Sequence, residues 1–412
     1  MINIAKVRQF WPAALVVTVY AAAAAARPLL VPDELSALNL TPAFFGDSIL
    51  AARLPAVAAT LLSGLAVAGF ARLRSRRSAW FAAMIYFGSF AVFAAGTAAT
   101  GLPVLVLCFQ LLVLGGCAAF FLDGMARRLG LAAILLGGIG FHFSAGVLRS
   151  GVFADLAPEP LLIAALLPFL PFWPLWITVL RKAPFREEPL LLSALVLAVF
   201  SLALGLVLPA AGVLGAMGSL ALAGGYAMAR YFTENPDPER FSRNLRSSMM
   251  MIASGVVLLL ALPWIGPGRE PYYLPALAGI IWLVWIGYGR ASRNPLWQFG
   301  GFMIGLAFVY LVLPRALPAR LMATRDFVAP LHAYDFSRFA ARPQIYTEPE
   351  LLGFVRRQLP GWQVEALDPS FQPGDKPILV ISRLGEITAK LPPATRRTVY
   401  KPSNLAFTEY NI

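Results

Sequence analysis

The chain has 412 residues, of which 58% are hydrophobic and only 13% are charged. Soluble domains carry about 25% charged residues, so this composition excludes a soluble globular protein and predicts an integral membrane protein. A net charge of +13 would suggest nucleic-acid binding in a soluble protein. Here the excess is better explained by lysines and arginines that collect in loops on one side of a membrane, and no nucleic-acid partner is expected.

Eleven apolar stretches are long enough to cross about 30 Å of hydrocarbon and predict an all-α polytopic bundle. Ten to thirteen spans remain compatible with the pattern, because Pro209–Gly212 is either a loop between two helices or a kink in one. The first stretch is alternatively a cleaved signal peptide, since Lys6 and Arg8 precede an apolar run that ends in Ala21–Ala26. The stretches are residues 10–30, 49–71, 79–96, 101–122, 129–148, 160–180, 189–208, 210–228, 248–265, 271–289 and 296–313.

Basic residues alternate strongly between the two sides of this bundle. The short loops of one side contain only Arg27, Arg149 and Arg269. By the positive-inside rule, the sequence predicts a cytoplasmic N-terminus and an outward C-terminal tail. The seventeen basic residues of the other side are Lys6, Arg8, Arg72, Arg74, Arg76, Arg77, Arg127, Arg128, Arg181, Lys182, Arg186, Arg230, Arg240, Arg243, Arg246, Arg290 and Arg293.

The composition changes after residue 314, which predicts a membrane domain over residues 1–314 and a small outer domain over 315–412. The second segment has thirteen lysines and arginines and no apolar run long enough to cross a membrane. Residues 348–359 have the spacing of an amphipathic helix, 376–382 form a buried strand, and 362–366 form a second strand. We therefore expect an α/β or α+β extracytoplasmic domain.

Charged and aromatic residues gather in five loops or helix ends that this topology turns outward. Two adjacent carboxylates beside hydrocarbon are costly and need a function, and a carboxylate can take a proton from an attacking hydroxyl. Arginine can neutralise a phosphate bidentately. Together these groups suit a polyprenyl phosphate that carries a sugar. The clusters are Arg27 with Asp33 and Glu34, Asp47 with Arg53, His142 with Arg149, Asp155 with Glu159, and Arg269 with Tyr272 and Tyr273.

Three ordered motifs resemble the GT-C superfamily of membrane glycosyltransferases, in particular the branch of protein O-mannosyltransferases and lipid A aminoarabinose transferase. They are Pro32-Asp33-Glu34 after the first span, Ala52-Arg53-Leu54-Pro55 at the second, and the late segment 268–275, which reads Gly-Arg-Glu-Pro-Tyr-Tyr-Leu-Pro. The resemblance implies a polytopic transferase with an outward C-terminal domain. It would move a sugar from a lipid-linked donor to an outer-face acceptor, which is a lipid, a glycan or a protein.

The resemblance also implies roles for individual residues. Asp33 would be the catalytic base with Glu34 beside it, and Arg269 with Tyr272 or Tyr273 would contact the donor phosphate. The remaining candidates would shape the site: Arg27, Arg53, Arg149, Asp155 and Glu159. For Arg53, an ion pair with a nearby carboxylate and a contact with ligand are both open, and the two tyrosines would also suit an interfacial aromatic belt.

The sequence departs from the family pattern at three places. The interval from Glu34 to Arg53 contains no Glu-Lys-Pro-Pro, residues 96–103 contain no acid, and residues 144–146 are Ser-Ala-Gly where the family has Lys-Gly. These departures leave two hypotheses besides the pattern itself: an enzyme that uses Asp155 or Glu159 as its second acid, and a non-catalytic scaffold or lipid-binding partner subunit. A transporter is less favoured, because few charges lie in mid-span and no half-chain repeat stands out.

No cofactor is predicted. Two histidines and scattered acids give no metal-ligand spacing, which leaves a divalent cation held by carboxylates as the one metal option. Cys108 and Cys117 lie nine residues apart, about 13 Å along a helix, which is too far for a disulfide. The composition and the resemblance favour a bacterial inner membrane, with membrane lipids and a lipid-linked sugar donor as partners.

Overall fold

The computed structural model describes two compact units, a helical one that includes Arg53–Ala316 and a C-terminal one that includes the described residues from 330 onwards. The described residues are 16–25, 49–98, 101–149, 162, 166–185, 187–234, 238–265, 273–291, 295–316, 330–331, 334–339, 341–349, 351–352, 355–356, 359, 361–368, 371–374, 376–383, 391–400 and 405–411.

Helices account for nearly all of the first unit. Five of them are long and apolar enough to span a membrane, or six if a bent pair counts as one span, as befits an integral membrane protein. Each of the eleven apolar stretches contains part of a described helix, but the number of crossings stays a prediction. The helices are α1 (Val16–Ala25), α2 (Ile49–Arg72), α3 (Arg76–Phe87), α4 (Phe90–Gly96), α5 (Leu102–Phe121), α6 (Gly124–Arg149), α7 (Trp173–Arg181), α8 (Pro189–Val207), α9 (Pro209–Glu234), α10 (Pro238–Ile265), α11 (Tyr273–Ala291) and α12 (Pro295–Ala316).

The stretch 79–96, expected as one helix, is broken. Helices α3 and α4 meet at 65°, where Ser89 adopts an extended conformation with φ −75° and ψ 126°. Gly88 allows this close packing: a Cβ there would lie 2.7 Å from the Met84 carbonyl oxygen and 2.8 Å from Met303 Cε. The Met303 side chain of α12, far away in sequence, thus packs closely on Gly88 at the break.

The stretch 160–180 also departs from a simple helix. Leu167–Phe172 forms a 3-10 helix that leads into α7. Prolines at 168, 171 and 174 recur every three residues. Proline lacks the N–H that an α-helical hydrogen bond requires, and a period of three residues matches the 3-10 turn.

Helices α8 and α9 form a hairpin, so that Pro209–Gly212 starts a second helix and does not kink a single one. Leu208 alone separates the two helices. A Cβ at Gly212 would lie 2.7 Å from the Gly205 nitrogen and 2.8 Å from the Ser201 carbonyl oxygen. The close approach of the two backbones requires glycine at this position.

Helix α9 is central and α6 is peripheral: 78% of the apolar stretch of α9 is buried, against 11% for α6. Phe172 of the 3-10 helix packs on rings from α10 and α12 at centroid distances of 5.2–5.8 Å. We name this group the phenylalanine cluster; its members are Phe81, Phe172, Phe232, Phe241, Phe299 and Phe302.

Truncation of the phenylalanine cluster should destabilise the helical unit. Phe172 is fully buried, and Phe→Ala in a packed core costs about 3–5 kcal/mol. We expect Phe172→Ala to lower the free energy of unfolding by about 3 kcal/mol, measured by denaturant titration in detergent. Phe120→Ala is the control, because Phe120 is 88% exposed and should change stability little. Equal effects of the two substitutions would contradict this packing.

The C-terminal unit contains a five-stranded mixed sheet of strand order β2-β1-β3-β5-β4. Strands β1, β2 and β3 run parallel, and β5 pairs antiparallel with both β3 and β4. The predicted strands at 362–366 and 376–382 correspond to β2 and β3. Buried Leu351, Val355 and Leu359 lie between β1 and β2 in sequence, within the predicted amphipathic helix. The strands are β1 (Gln344–Thr347), β2 (Val364–Ala366), β3 (Ile378–Arg383), β4 (Arg396–Tyr400) and β5 (Leu405–Tyr410).

A carboxylate is buried inside this second unit. Glu409 on β5 is 0% exposed, and its Oε1 accepts a hydrogen bond of 2.6 Å from the Tyr334 hydroxyl. The Tyr334 ring stacks on Phe407 at 4.8 Å. Burial and the bond to Glu409 raise the pKa of Tyr334 above its ordinary value. The phenol is thus held protonated as the donor to Glu409.

Removal of this hydroxyl should therefore be costly. In Tyr334→Phe, Glu409 would lose its donor, and an unsatisfied buried group costs about 1–3 kcal/mol. We expect a corresponding loss of stability, which the double variant Tyr334→Phe/Glu409→Leu should largely restore. Because the unfolded phenol ionises near pH 10 while the folded one stays protonated, stability should also fall above that pH, and less so in Tyr334→Phe. Denaturant titrations of the three chains at pH 8 and 10.5 would show both effects.

Candidate functional site

The helical unit has two distinguishable ends. Arg74 pairs with Glu188 at 3.0 Å, and Arg77 Nη1 donates to Thr233 Oγ1 at 3.4 Å. The first contact joins the end of α2 to the start of α8, and the second joins the start of α3 to the end of α9. Arg290 Nε donates to Ser242 Oγ at 3.1 Å, which joins α11 to the start of α10. We call this the basic end of the helical unit.

Arg53 lies at the opposite end, on the first turns of α2, and is 0% exposed. Its Nη1 donates a 2.7 Å hydrogen bond to the carbonyl oxygen of Ala24 on α1. The sequence explains why this acceptor needs a donor. An α-helical bond to the Ala24 carbonyl would come from residue 28, which is proline and has no N–H. The guanidinium thus supplies the missing donor and fixes α1 against α2.

A second contact attaches α1 to the helix break. The Tyr20 ring packs edge-on against Phe87 and Phe93 at 5.8 and 5.3 Å. The Tyr20 hydroxyl donates to the carbonyl oxygen of Phe87, the last residue of α3. The last carbonyl groups of a helix have no intrahelical partner. Because α3 ends at Phe87, the Phe87 carbonyl oxygen is available to accept this bond. Helix α1 leads by chain connection to Asp33.

The structure describes only part of the predicted site. Arg53 is buried, while Tyr273 begins α11 with 67% of its surface exposed. Arg149 ends α6, and exposed His142 packs beside Phe143 at 6.0 Å on the same helix. The other predicted site residues lie outside the described residues: Arg27, Asp33, Glu34, Asp47, Asp155, Glu159, Arg269 and Tyr272. Their proximity to one another stays a prediction.

A small cavity lined by three hydroxyl side chains and five apolar ones lies inside the bundle and was not anticipated. Thr60 and Ser63 of α2 and Tyr86 of α3 face it, among apolar residues of α4, α5 and α9. Helical spacing places Thr60 and Ser63 on one face. That pair of hydroxyls inside an apolar stretch was the available sequence signal.

Gln110 of α5 adds an amide beside this cavity. It is 0% exposed, and its amide and the Ser63 hydroxyl both lie close to the Tyr86 hydroxyl. Together these groups make a small buried polar cluster across α2, α3 and α5.

The described residues provide no obvious metal ligands. Among them, no group of three or more histidine, cysteine, aspartate or glutamate residues is placed to hold a metal ion. Cys108 and Cys117 are buried and are not joined in a disulfide. The described part of the site therefore offers a buried cation, an exposed tyrosine, an exposed histidine and uncharged hydrogen-bonding groups.

The chain has the fold of a solved membrane transferase. ArnT from Cupriavidus metallidurans, a lipid A aminoarabinose transferase of the GT-C superfamily, matches it in the apo state with a TM-score of 0.70 at 14% identity, over 100% of this chain and 99% of that one. The same enzyme bound to undecaprenyl phosphate matches with a TM-score of 0.69 at 14% identity, over 97% of each chain.

No protein-family model and no curated protein matches the sequence. The structural match nevertheless runs over the whole chain, including the C-terminal unit. The fold implied by the resemblance to the GT-C superfamily is therefore confirmed.

Proposed function

We propose that this protein is a glycosyltransferase that takes a sugar from a polyprenyl-phosphate-linked donor. The observation that carries the proposal is the match to ArnT over both units of the chain, one of the matching structures being a complex with undecaprenyl phosphate. The three motifs of the resemblance support it independently, because they are properties of the sequence and do not depend on the fold. The sugar and the acceptor are left open.

The proposed membrane topology follows from the basic end. Arginines at that end would face the cytoplasm, and Arg53, Arg149 and Tyr273 would then face outward. We propose eleven crossings, a cytoplasmic N-terminus and an outward C-terminal domain over residues 315–412. A bacterial inner membrane is the proposed location, since it contains polyprenyl phosphate carriers and is the setting of the resemblance.

Asp33 is the proposed catalytic base and would deprotonate the acceptor hydroxyl, with Glu34 beside it. The oxygen would then attack the anomeric carbon as the bond to the lipid phosphate breaks, which inverts the configuration. Arg269, with Tyr272 or Tyr273, would stabilise the departing phosphate, because a guanidinium compensates the charge that develops there. Arg53 acts at a distance from these steps, through α1. Arg27, Arg149, Asp155 and Glu159 are the proposed surrounding groups.

Binding of polyprenyl phosphate provides the first test. We expect saturable binding of undecaprenyl phosphate to the purified protein in neutral-lipid nanodiscs. A charged hydrogen bond contributes about 1.5–3 kcal/mol, so Arg269→Ala should weaken binding by about tenfold or more. Arg246→Ala is the control, since Arg246 is exposed on α10 near the basic end. Equal binding by wild type and Arg269→Ala would contradict the phosphate site.

A non-catalytic lipid-binding scaffold is the second candidate. One specific observation favours it: residues 96–103, where the resemblance places the family's second carboxylate, contain no acid, and Thr97 instead donates to the carbonyl oxygen of Phe93 at 2.8 Å. This candidate predicts binding of polyprenyl phosphate without release of a sugar.

A further inference from the structure

An apolar groove that contains one ion pair lies at the basic end. It is formed by the end of α2, the end of α5 and the start of α8. Its walls are apolar, and a single ion pair, Arg74 with Glu188, stands among them. The apolar lining residues are Phe70, Leu73, Leu122, Pro189 and Leu190.

The ion pair leaves part of the arginine available. Arg74 Nε lies 3.0 Å from Glu188 Oε2, and the Arg74 side chain is 50% exposed while that of Glu188 is 14% exposed. Within the described residues Glu188 is the only group that pairs with Arg74. The two terminal amino groups of the Arg74 guanidinium, Nη1 and Nη2, can therefore still donate to two oxygens of a phosphate. Guanidinium groups favour this bidentate geometry.

Further arginines lie beside the groove. Arg72, Arg76 and Arg77 flank Arg74 at the end of α2 and the start of α3, and all three are exposed. These four arginines outnumber the carboxylates in or next to the lining, which are Asp123, Glu187 and Glu188, so the mouth of the groove carries a net positive charge. A ligand that matches it has an anionic head and an apolar tail.

We propose that this groove binds an anionic phospholipid of the surrounding membrane, with the phosphate at Arg74 and an acyl chain along the apolar walls. Charge complementarity selects an anionic lipid over a zwitterionic one, and the position at a helix end of a membrane bundle places the head at the depth of lipid phosphates. Binding here is independent of the proposed transfer reaction and uses none of its residues.

Native mass spectrometry of the purified full chain tests the proposal, with phosphatidylglycerol and phosphatidylcholine as paired probes. We expect at least one phosphatidylglycerol to be retained selectively. Each basic residue near a lipid surface contributes about 1 kcal/mol, so Arg74→Gln should weaken that affinity about fivefold or more. Arg74→Lys, which keeps the charge, should retain most of it. Arg246→Gln removes an exposed arginine outside the groove and should have no effect.

Two further variants separate a lipid site from a structural ion pair. Glu188→Gln keeps an oxygen that can accept from Arg74 but removes the negative charge, so phosphatidylglycerol should bind more tightly. Leu122→Trp should weaken binding by filling the groove while both charges stay in place. Equal retention of the two lipids, or equal losses in Arg74→Gln and Arg246→Gln, would overturn the proposal, as would weaker binding in Glu188→Gln. Retention of undecaprenyl phosphate by all these variants would show that the donor site is separate.

Discussion

Asp33→Asn is expected to abolish sugar transfer while leaving polyprenyl phosphate bound. A general base contributes about 10²–10⁴-fold to the rate of a proton-transfer step, and an amide cannot accept the acceptor's proton. The donor phosphate is proposed to be held by Arg269, so affinity for the lipid should change little. The measurement is the initial rate of donor consumption in nanodiscs, alongside the binding isotherm of undecaprenyl phosphate.

A matched control for Asp33→Asn lies in the C-terminal unit. Asp335 is exposed and pairs with Arg338 at 3.4 Å, and hydrogen bonds from Ser337 lower its pKa. Asp335→Asn makes the same chemical change at an exposed position, and transfer should continue at the wild-type rate. Transfer by Asp33→Asn at that rate would show that Asp33 is not the base and would direct attention to Asp155 or Glu159.

Arg53→Leu is expected to impair both folding and transfer. The substitution leaves the Ala24 carbonyl without its donor and removes a large buried side chain. Loss of a charged hydrogen bond and of its packing should lower the free energy of unfolding by about 3 kcal/mol. Transfer should fall too, because α1 would no longer be held where the chain enters the Asp33 segment. Thermal unfolding and donor consumption are the two readouts.

Three comparisons separate the bond to Ala24 from a general effect of charge. Arg53→Lys keeps a cation with a donor and should lose less stability than Arg53→Leu. Tyr20→Phe removes a second described polar contact of α1, the bond to the Phe87 carbonyl oxygen, and should cost less still. Arg246→Leu removes an exposed arginine and should be close to neutral. If Arg53→Leu unfolded at the same temperature as the wild type, the role assigned to this residue would be wrong.

The helices were largely predictable because apolar length is a direct requirement of the membrane interior. Breaks within them were not. The sequence Gly88-Ser89 is compatible with a continuous helix. The close packing of Gly88 against Met303 of α12 could not be predicted, because the two residues are far apart in sequence. The 3-10 helix at Leu167–Phe172, by contrast, could have been predicted from its prolines, which recur every three residues. A search for apolar length alone does not detect this spacing.

In the C-terminal unit, β3 was predicted because its residues are continuously apolar. Strand β5 was not predicted. Polar residues such as Thr408 and Glu409 usually indicate exposed positions, but both are fully buried in this strand. Strand β4 contains two exposed arginines at a sheet edge and has no apolar pattern. A buried polar residue hides the alternating pattern of a strand, and its hydrogen-bond partner cannot be recognised locally when it is distant in sequence, as Tyr334 is from Glu409.

The site shows the same division. Charge reasoning singled out Arg53 as a cation needing a partner, and its ion pair with Asp33, Glu34 or Asp47 stays a prediction because these carboxylates lie outside the described residues. An acceptor within the described residues is the Ala24 carbonyl oxygen. That acceptor depends on Pro28 and on the packing of α1 against α2, which no local pattern displays. The cavity lined by Thr60, Ser63 and Tyr86 was missed because none of these residues alone stands out in an apolar helix. The catalytic assignment of Asp33 stays a prediction of the resemblance.

Release of free polyprenyl phosphate is the measurement that tests the proposed function most directly. The purified protein would be placed in nanodiscs with polyprenyl-phosphate-linked sugars and a bacterial envelope extract as the source of acceptor, and the lipid products would be followed by mass spectrometry. The proposed transferase releases polyprenyl phosphate at a rate that depends on the wild-type protein and on the extract. Binding of the lipid-linked sugar with no release above the protein-free control would contradict the enzyme and favour the scaffold.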